Sequence, residues 1–161
     1  MCVSAAPGAI FRQGLVRGTV FSGGSGVGRS KGGLTTKVLA LTDALGNLVR
    51  FKLLPGQRSE IVGLPDPIDG LSFDALMADK AFDADHLRQT LHERDAAAVI
   101  PAKRNRKIHI PHDEQAYKWR HLIENYFSKI KEFRSVNTRY DKTDTSYQAT
   151  WSIAATIIAL R

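Results

Sequence analysis

One stretch of the sequence brings together a phenol, a carboxylate and two cations: Tyr117, Arg120, Glu124 and Lys131. At about 100° per residue, these four positions fall on one narrow face of a helix. Such a row offers an oxygen ligand for a metal ion and positive charge for a phosphate. The simpler interpretation from the spacing alone is an ordinary amphipathic helix, whose solvent face is charged and whose Arg120 and Glu124 form an i,i+4 pair.

The opposite face of the same stretch is apolar, which predicts one long helix from Asp113 to about Arg134. The positions expected to be buried on that face are Trp119, Leu122, Tyr126, Ile130 and Phe133. The helix would thus bury one stripe and present the Tyr–Arg–Glu–Lys row on the far side.

The elements that must position this row are predicted from alternation, turn residues and helical periodicity. A hairpin is expected from Leu34–Thr42 and Leu48–Leu54, joined by the turn Asp43–Asn47. Further elements are expected as a strand or short helix at Leu71–Ala78, a helix at Ala84–Asp95, a strand at Ala96–Pro101 and a last helix from Thr143 or Asp144 to Leu160. This order predicts a mixed α/β domain with helices packed against a sheet.

The 161 residues carry a net charge of +7, and that charge is unevenly placed. Residues 51–100 are acidic overall, whereas residues 1–50 and 101–142 are basic. An acidic centre between basic flanks suits a protein that binds a polyanion and gathers carboxylates for metal, although a moderately basic solvated surface has the same charges. The single cysteine, Cys2, excludes a disulfide framework and indicates a reducing cytoplasm. The longest apolar stretch, Trp151–Leu160, is too short for a membrane span.

The Tyr–Arg–Glu–Lys row is one of several segments that follow the order of a known enzyme family. Its spacing matches the signature Y-(2)-R-(3)-E-(6)-K, which fixes four residues over fifteen positions. Ala78–Asp83 is similar to the segment that carries a metal-binding aspartate after a strand, and three more segments also match: Gly28–Lys37, Asp43–Asn47 and Thr138–Lys142. From about Gly28 to Arg161, the chain resembles the DDE transposases of small bacterial insertion sequences of the IS-five type.

The resemblance implies an RNase H-like fold, with a mixed sheet flanked by helices, and a site where carboxylates hold two divalent ions, Mg²⁺ or Mn²⁺. Such ions activate a water or a DNA 3′-hydroxyl and stabilise the leaving oxygen during in-line attack on a phosphodiester. By the same resemblance, Asp79 and Glu124 are the second and third acids, both catalytic and metal-binding, and Lys131 is a catalytic residue beside the reacting DNA end. Asp83 is a spare carboxylate, for which a helix N-terminal acid is the simpler interpretation and an exchange with Asp79 stays open.

Double-stranded DNA, both transposon ends and target, is the partner that the resemblance implies. Arg120 is expected to contact DNA or to orient Glu124, and Tyr117 to contact DNA or to pack. Further DNA contacts are expected from basic side chains in two loops: Lys103, Arg104, Arg106, Lys107, Arg29 and Lys31. The family also leads us to expect a homo-oligomer in the bacterial cytoplasm, associated with the nucleoid and without membrane contact.

The family's first aspartate, which belongs to its first strand, has no counterpart here, because no Asp or Glu precedes Asp43. Asp43 itself is explained by turn chemistry. We therefore expect residues 1–27 to be flexible or foreign to the family, and residues 28–161 to form a partial catalytic domain that lacks its first strand. The chain would then be the downstream product of a split gene, joined to an upstream-frame part, or a decayed copy, and alone inactive or nearly so. The alternative function is a non-catalytic DNA-binding fragment or an inhibitor of the full transposase.

Overall fold

A computed structural model of the chain describes residues 9–17, 28–30, 33–55 and 64–161. Within these ranges, six strands form one sheet: β1 Ala9–Arg17, β2 Gly28–Ser30, β3 Gly33–Thr42, β4 Leu48–Pro55, β5 Ala75–Met77 and β6 Ala97–Val99. The helices are α1 Pro65–Ile68, α2 Asp85–Glu93, α3 Glu114–Lys118, α4 His121–Ile130, α5 Arg134–Asn137 and α6 Asp144–Ala159. None of these helices is long and apolar enough to cross a membrane. The mixed α/β class expected from the sequence is confirmed.

Strand β1 joins an antiparallel half of the sheet to a parallel half. One edge of β1 pairs antiparallel with β3, and the other edge pairs parallel with β5, with Ile10 opposite Met77. β5 continues parallel to β6, while β4 pairs antiparallel with β3. The main strand order is therefore β4–β3–β1–β5–β6, and β2 pairs with the first residues of β3.

A strand opens this sheet, so the expectation that the domain lacks its first strand is wrong. β1 lies within residues 1–27, which we expected to be flexible or foreign to the family; residues 1–8 and 18–27 lie outside the described part of the chain. The sequence Ala-Ile-Phe-Arg-Gln-Gly-Leu-Val-Arg has no clear period-two alternation and contains a glycine. Before Leu34 its pattern predicts no more than a short strand near Leu15–Phe21, of which residues 18–21 lie outside the described part of the chain. Pairing on both edges satisfies the backbone hydrogen-bonding groups of β1, and the side-chain pattern does not indicate this pairing.

The predicted hairpin is confirmed as β3 and β4, and its turn has a clear physical cause. The Asp43 carboxylate accepts hydrogen bonds from the backbone N–H groups of Leu45 and Asn47, both at 2.9 Å. Gly46 adopts a φ of +85°, where a side chain would be strained and a Cβ would lie 3.4 Å from Leu122 Cβ. Asp43 is thus fully used in the turn, as the sequence predicted.

The other predicted elements are confirmed with shorter bounds, except the long helix. α2, β6 and α6 lie where the sequence places them, and the Thr143 side chain caps α6 by accepting from Ser146 N. The helix expected from Asp113 to Arg134 is divided into α3, α4 and α5. Between α3 and α4 the backbone bonds tighten to i,i+3, with Arg120 N donating to Tyr117 O at 3.1 Å.

This break changes which residues α4 buries. Trp119, expected in the core, is 56% exposed because it lies in the tight turn. Tyr126 and Ile130 are buried as predicted, and the buried face is completed by Ile123 and Phe127. The predicted stripe belongs to one continuous helix, which the tight turn between α3 and α4 interrupts.

Helices cover both faces of the sheet, so β3 is buried on both sides. Leu39 and Leu41 belong to one apolar cluster, which includes residues of α1 and α2. Val38 and Ala40 belong to a second cluster, in which α4 and α6 contribute Ile123, Trp151 and other side chains. Alternate residues of a strand point to opposite faces, so this central strand ties the two layers together.

Arg139 is buried between β3 and α6, which composition would not lead one to expect. Its guanidinium donates to the Thr36 hydroxyl and to Asp144 Oδ1, the latter at 2.8 Å, and lies 4.8 Å from the Tyr147 ring centroid. Arg139 belongs to the segment Thr138–Lys142, which resembles the family. Its contacts give this segment a structural role, because Arg139 fastens the start of α6 to the sheet.

Candidate active site

Asp79 lies two residues beyond the end of β5, in the parallel half of the sheet. It is the N-cap residue of a 3-10 turn, Lys80–Phe82, but its side chain makes no capping hydrogen bond there. The carboxylate is 34% exposed and points to the α3–α4 region. Strand ends in parallel sheets are a common place for functional side chains, because the backbone there is fixed and the loop is open.

Two side chains beside the break between α3 and α4 contact the Asp79 carboxylate. Arg120 Nη1 donates to Asp79 Oδ1 as an ion pair, and the Tyr117 hydroxyl donates to the same oxygen over 3.4 Å. Burial raises the pKa of Tyr117; Arg120 opposes this rise and the Asp79 carboxylate adds to it. The phenol therefore stays protonated at neutral pH and remains a donor to Asp79.

Arg120 also holds the second acid of the predicted pair. Its Nη2 donates to Glu124 Oε1 at 2.8 Å, so one guanidinium binds both Asp79 and Glu124. Glu124 lies in the first turn of α4, where the helix dipole favours a negative charge. The structure thus brings together four of the sequence-predicted residues, Asp79, Tyr117, Arg120 and Glu124.

Lys131, the fifth predicted residue of this group, is the C-cap residue of α4 and is exposed. Among the described residues, no hydrogen bond or ion pair links its side chain to Asp79 or Glu124. A role beside a reacting DNA end therefore stays a prediction for Lys131.

Asp83 is committed to a different cluster. Its buried carboxylate accepts from Arg88 Nε at 2.9 Å, from Arg106 Nη1 at 3.0 Å and from the Lys103 N–H at 2.8 Å. Burial alone would raise the pKa of Asp83, but the Lys103 N–H and the two guanidinium groups outweigh it and hold the pKa below its ordinary value. Asp83 therefore fastens the basic loop Lys103–Lys107, which follows β6, to α2. This role goes beyond that of a simple helix N-terminal acid.

Replacing Asp83 with asparagine is expected to lower the free energy of unfolding by about 3 kcal/mol, since a buried ion pair loses its anion. The loss stays near the lower end of the roughly 3–5 kcal/mol that breaking a buried pair costs, because Arg88 still donates to the Ile100 carbonyl and Arg106 to Asp85. Because the pKa of Asp83 is depressed in the folded state, its contribution is complete at neutral pH and is lost as acid titrates the folded carboxyl. Urea unfolding across the acidic range checks this: the parent and Asp83→Asn curves should converge at low pH, and a gap that persists there would contradict the assignment.

The basic loop contributes fewer outward cations than the sequence suggested. Arg106 turns inward to Asp83 and Asp85, whereas Arg104 and Lys107 are exposed and Lys103 is half-buried. Arg104 and Lys107 therefore remain the accessible candidates for phosphate in this loop. Of the other predicted cations, the Arg29 side chain and all of Lys31 lie outside the part of the chain that the structure describes.

Arg12 and Asp79 stand at the same distance from the parallel β1–β5 pairing. The register pairs Ile10 with Met77, and each of the two residues lies two positions further along the chain. No acid occurs in β1, and the residue at this register position is Arg12.

The acid pair fits one divalent cation. Mg²⁺ is commonly held by one or two carboxylates, with water and substrate phosphate completing its octahedron, and Asp79 and Glu124 offer those oxygens. The guanidinium of Arg120, which binds both carboxylates, lies between them. Within the described residues, no group of three or more His, Cys, Asp or Glu side chains is placed to hold a metal ion.

These features define a class: an α/β domain with two carboxylates, one beyond a central strand and one on a helix, beside exposed basic side chains. Residues 16–159 match the family described as the transposase DDE domain. The chain belongs to this family of transposases. It is 35% identical over 130 residues to a Brucella ovis protein whose name is that of a transposase for insertion sequence element IS6501, an alignment that covers 80% of this chain and 100% of the relative.

Among solved structures, the chain is similar to a piggyBac transposase in a synaptic complex with hairpin DNA. The match has a TM-score of 0.46 and 14% sequence identity, and it covers 67% of this chain and 25% of the other. The chain thus spans about a quarter of the length of that transposase.

Proposed function

We propose that this chain is an insertion-sequence transposase whose RNase H-like domain acts on DNA phosphodiester bonds at the Asp79–Glu124 pair. The observation that carries the proposal is the convergence of Asp79, from the end of β5, and Glu124, from α4, on one guanidinium. Two features support the fold: the strand order β4–β3–β1–β5–β6, and the change from antiparallel to parallel pairing at β1. Family membership supports DNA as the substrate.

Mg²⁺ or Mn²⁺, when bound, would activate the attacking oxygen and stabilise the leaving oxygen of the phosphodiester. Asp79 and Glu124 would hold the ion from two different elements, so their spacing is set by the packing of α4 on the sheet. Tyr117 keeps a proton and orients the Asp79 carboxylate through its hydrogen bond. Arg104 and Lys107 would bind the DNA backbone as exposed cations, and Lys131 would contact phosphate near the reacting end.

The same site gives a physical reason for weak or absent cutting by this chain alone. Two carboxylates neutralise less metal charge than three, and β1, whose residue two positions beyond the Ile10–Met77 pair is Arg12, supplies no further acid. This observation favours a second candidate function: a DNA-binding protein that occupies transposon ends without cutting, or that inhibits an active transposase by forming mixed oligomers.

Gel-shift and nicking assays on a duplex DNA separate these functions. We expect binding that weakens steeply with salt, and no metal-dependent nick above background with Mg²⁺ or Mn²⁺. Removing two exposed cations, as in Arg104→Gln/Lys107→Gln, should reduce the slope of log affinity against log salt by about 2, because each lost phosphate contact contributes roughly 0.9. A charge-matched control, Lys142→Gln/Arg161→Gln, should leave the slope near that of the parent.

Each possible outcome decides something. Absence of DNA binding at low salt would contradict the proposed function as a whole. Strong metal-dependent nicking by the parent chain would contradict the expected inactivity and support the enzyme. Equal slopes for the two double variants would show that the loop after β6 is not the DNA contact.

A further inference from the structure

In the Asp79–Arg120–Glu124 bridge, two carboxylates share one cation, as they would at a metal site, but the cation is a protein side chain. Nη1 of Arg120 binds one carboxylate and Nη2 binds the other, so a single positive group serves both anions. Charge-assisted hydrogen bonds of this kind are stronger than neutral ones, and Arg holds them in a fixed planar fork. The three side chains are between 24% and 37% exposed, so solvent screens them incompletely.

From this geometry we infer that Arg120 is a tethered competitor of the divalent cation. A metal ion shared by Asp79 and Glu124 must take the place between the two carboxylates that the guanidinium now fills, so it binds only when the guanidinium leaves. The inference rests on the proposed function for the identity of the ion, Mg²⁺ or Mn²⁺. The competition itself rests on the contacts of Arg120.

The Arg120 side chain has an alternative partner when it leaves the two carboxylates. It precedes α4 in a tight turn, is 24% exposed, and lies 5.3 Å from the Tyr117 ring centroid, so its side chain is at the surface beside an aromatic face. A guanidinium released from carboxylates binds phosphate oxygens with the same fork geometry. Arg120 is therefore a positioning residue for the acids when no metal is bound, and a phosphate-binding residue when one is.

The test is Mn²⁺ binding, measured by titration calorimetry and by electron paramagnetic resonance of the free ion, with no DNA present. Arg120→Gln is expected to bind Mn²⁺ at least tenfold more tightly than the parent. The matched control is Lys118→Gln, which removes one exposed positive charge from α3, where the side chain donates to Gln115 Oε1. Adding Glu124→Gln to Arg120→Gln should abolish the gained binding.

Folding is monitored in the same series, because Arg120→Gln leaves two like charges close together. We expect its melting temperature to fall in metal-free buffer and to recover with Mn²⁺, with a larger rise than the parent shows. If Arg120→Gln does not fold, Arg120→Lys replaces it: its point charge reaches one carboxylate at a time, and Mn²⁺ affinity should lie between parent and competitor-free values.

Equal Mn²⁺ affinities for Arg120→Gln and Lys118→Gln would overturn the inference, because the effect would then be one of overall charge. Weaker binding by Arg120→Gln than by the parent would overturn it as well, since Arg120 would then build the metal site. These outcomes are independent of the DNA assays, so the proposed function can fail while the competition stands, and the reverse also holds.

Discussion

Replacing Arg12 with aspartate is expected to give this chain metal-dependent DNA nicking of about 100-fold or more over the parent background. The position lies two residues beyond Ile10, as Asp79 lies two residues beyond its partner Met77, so we expect the substitution to add a carboxylate beside the acid pair. A third acid raises the negative charge available to the ions, and metal catalysis contributes several kcal/mol, of which each 1.36 kcal/mol is tenfold in rate.

The control for this gain is Arg17→Asp, which makes the same charge change in the same strand. Position 17 lies five residues further along β1, opposite Thr35 and away from the Ile10–Met77 pair. Nicking of a supercoiled plasmid with Mn²⁺ is the measurement, with Mn²⁺ affinity beside it. Nicking by Arg12→Asp that disappears when Asp79→Asn is added would place both residues in one site.

Two results would contradict the prediction for Arg12→Asp. Equal behaviour of Arg12→Asp and Arg17→Asp would show that position 12 has no special relation to Asp79. A well-folded Arg12→Asp that binds Mn²⁺ more tightly but still does not cut would favour the second candidate function, a DNA-binding protein whose surroundings no longer support chemistry.

Local chemistry made part of the fold predictable. The β3–β4 hairpin follows from the turn residues Asp43 and Gly46, one of which binds backbone N–H groups while the other adopts a positive φ. The start of α6 follows from Thr143, whose hydroxyl caps the helix. Such features depend on residues a few positions apart, and the sequence displays them directly.

Features that depend on distant pairing were not predictable in this way. β1 has no alternating pattern, and it exists as a central strand through its pairing with β3 and β5. The break before α4 is absent from the periodicity, because a run of favourable helix residues continues through it. It is defined by the i,i+3 bond from Arg120 N to Tyr117 O and leaves Trp119 exposed. Tertiary contacts thus decided both points where the predicted elements were wrong.

The acid group shows the same division. Helical spacing placed Arg120 and Glu124 side by side, and the structure joins Asp79 to them from 41 positions away along the chain from Arg120. Nothing in the spacing indicated that Arg120 would bind both acids. Asp83 lies four positions after Asp79, yet its arginine partners draw it into a separate cluster. Sequence proximity could not separate these two aspartates, whereas their partners do.

The largest effect on stability is expected from Arg139→Met. The substitution keeps an unbranched side chain at a buried position. It removes the guanidinium that donates a hydrogen bond to the Thr36 hydroxyl oxygen and that pairs with the Asp144 carboxylate. Breaking a buried pair by removing one partner costs about 3–5 kcal/mol. For a chain of this length that corresponds to a fall of about 10 °C in melting temperature.

Arg134→Met is the matched control, because Arg134 is exposed and its Nε donates to the Tyr140 hydroxyl, itself on an exposed side chain, over 3.2 Å. Its expected cost is below about 1 kcal/mol, as for surface contacts in general. Urea unfolding of both variants gives the difference. Adding Asp144→Asn to Arg139→Met should recover part of the lost stability, because it also removes the carboxylate charge that binds the Arg139 guanidinium in the parent. If both arginine variants unfold at the same urea concentration, Arg139 does not fasten α6 to the sheet, and the Thr138–Lys142 segment needs another explanation.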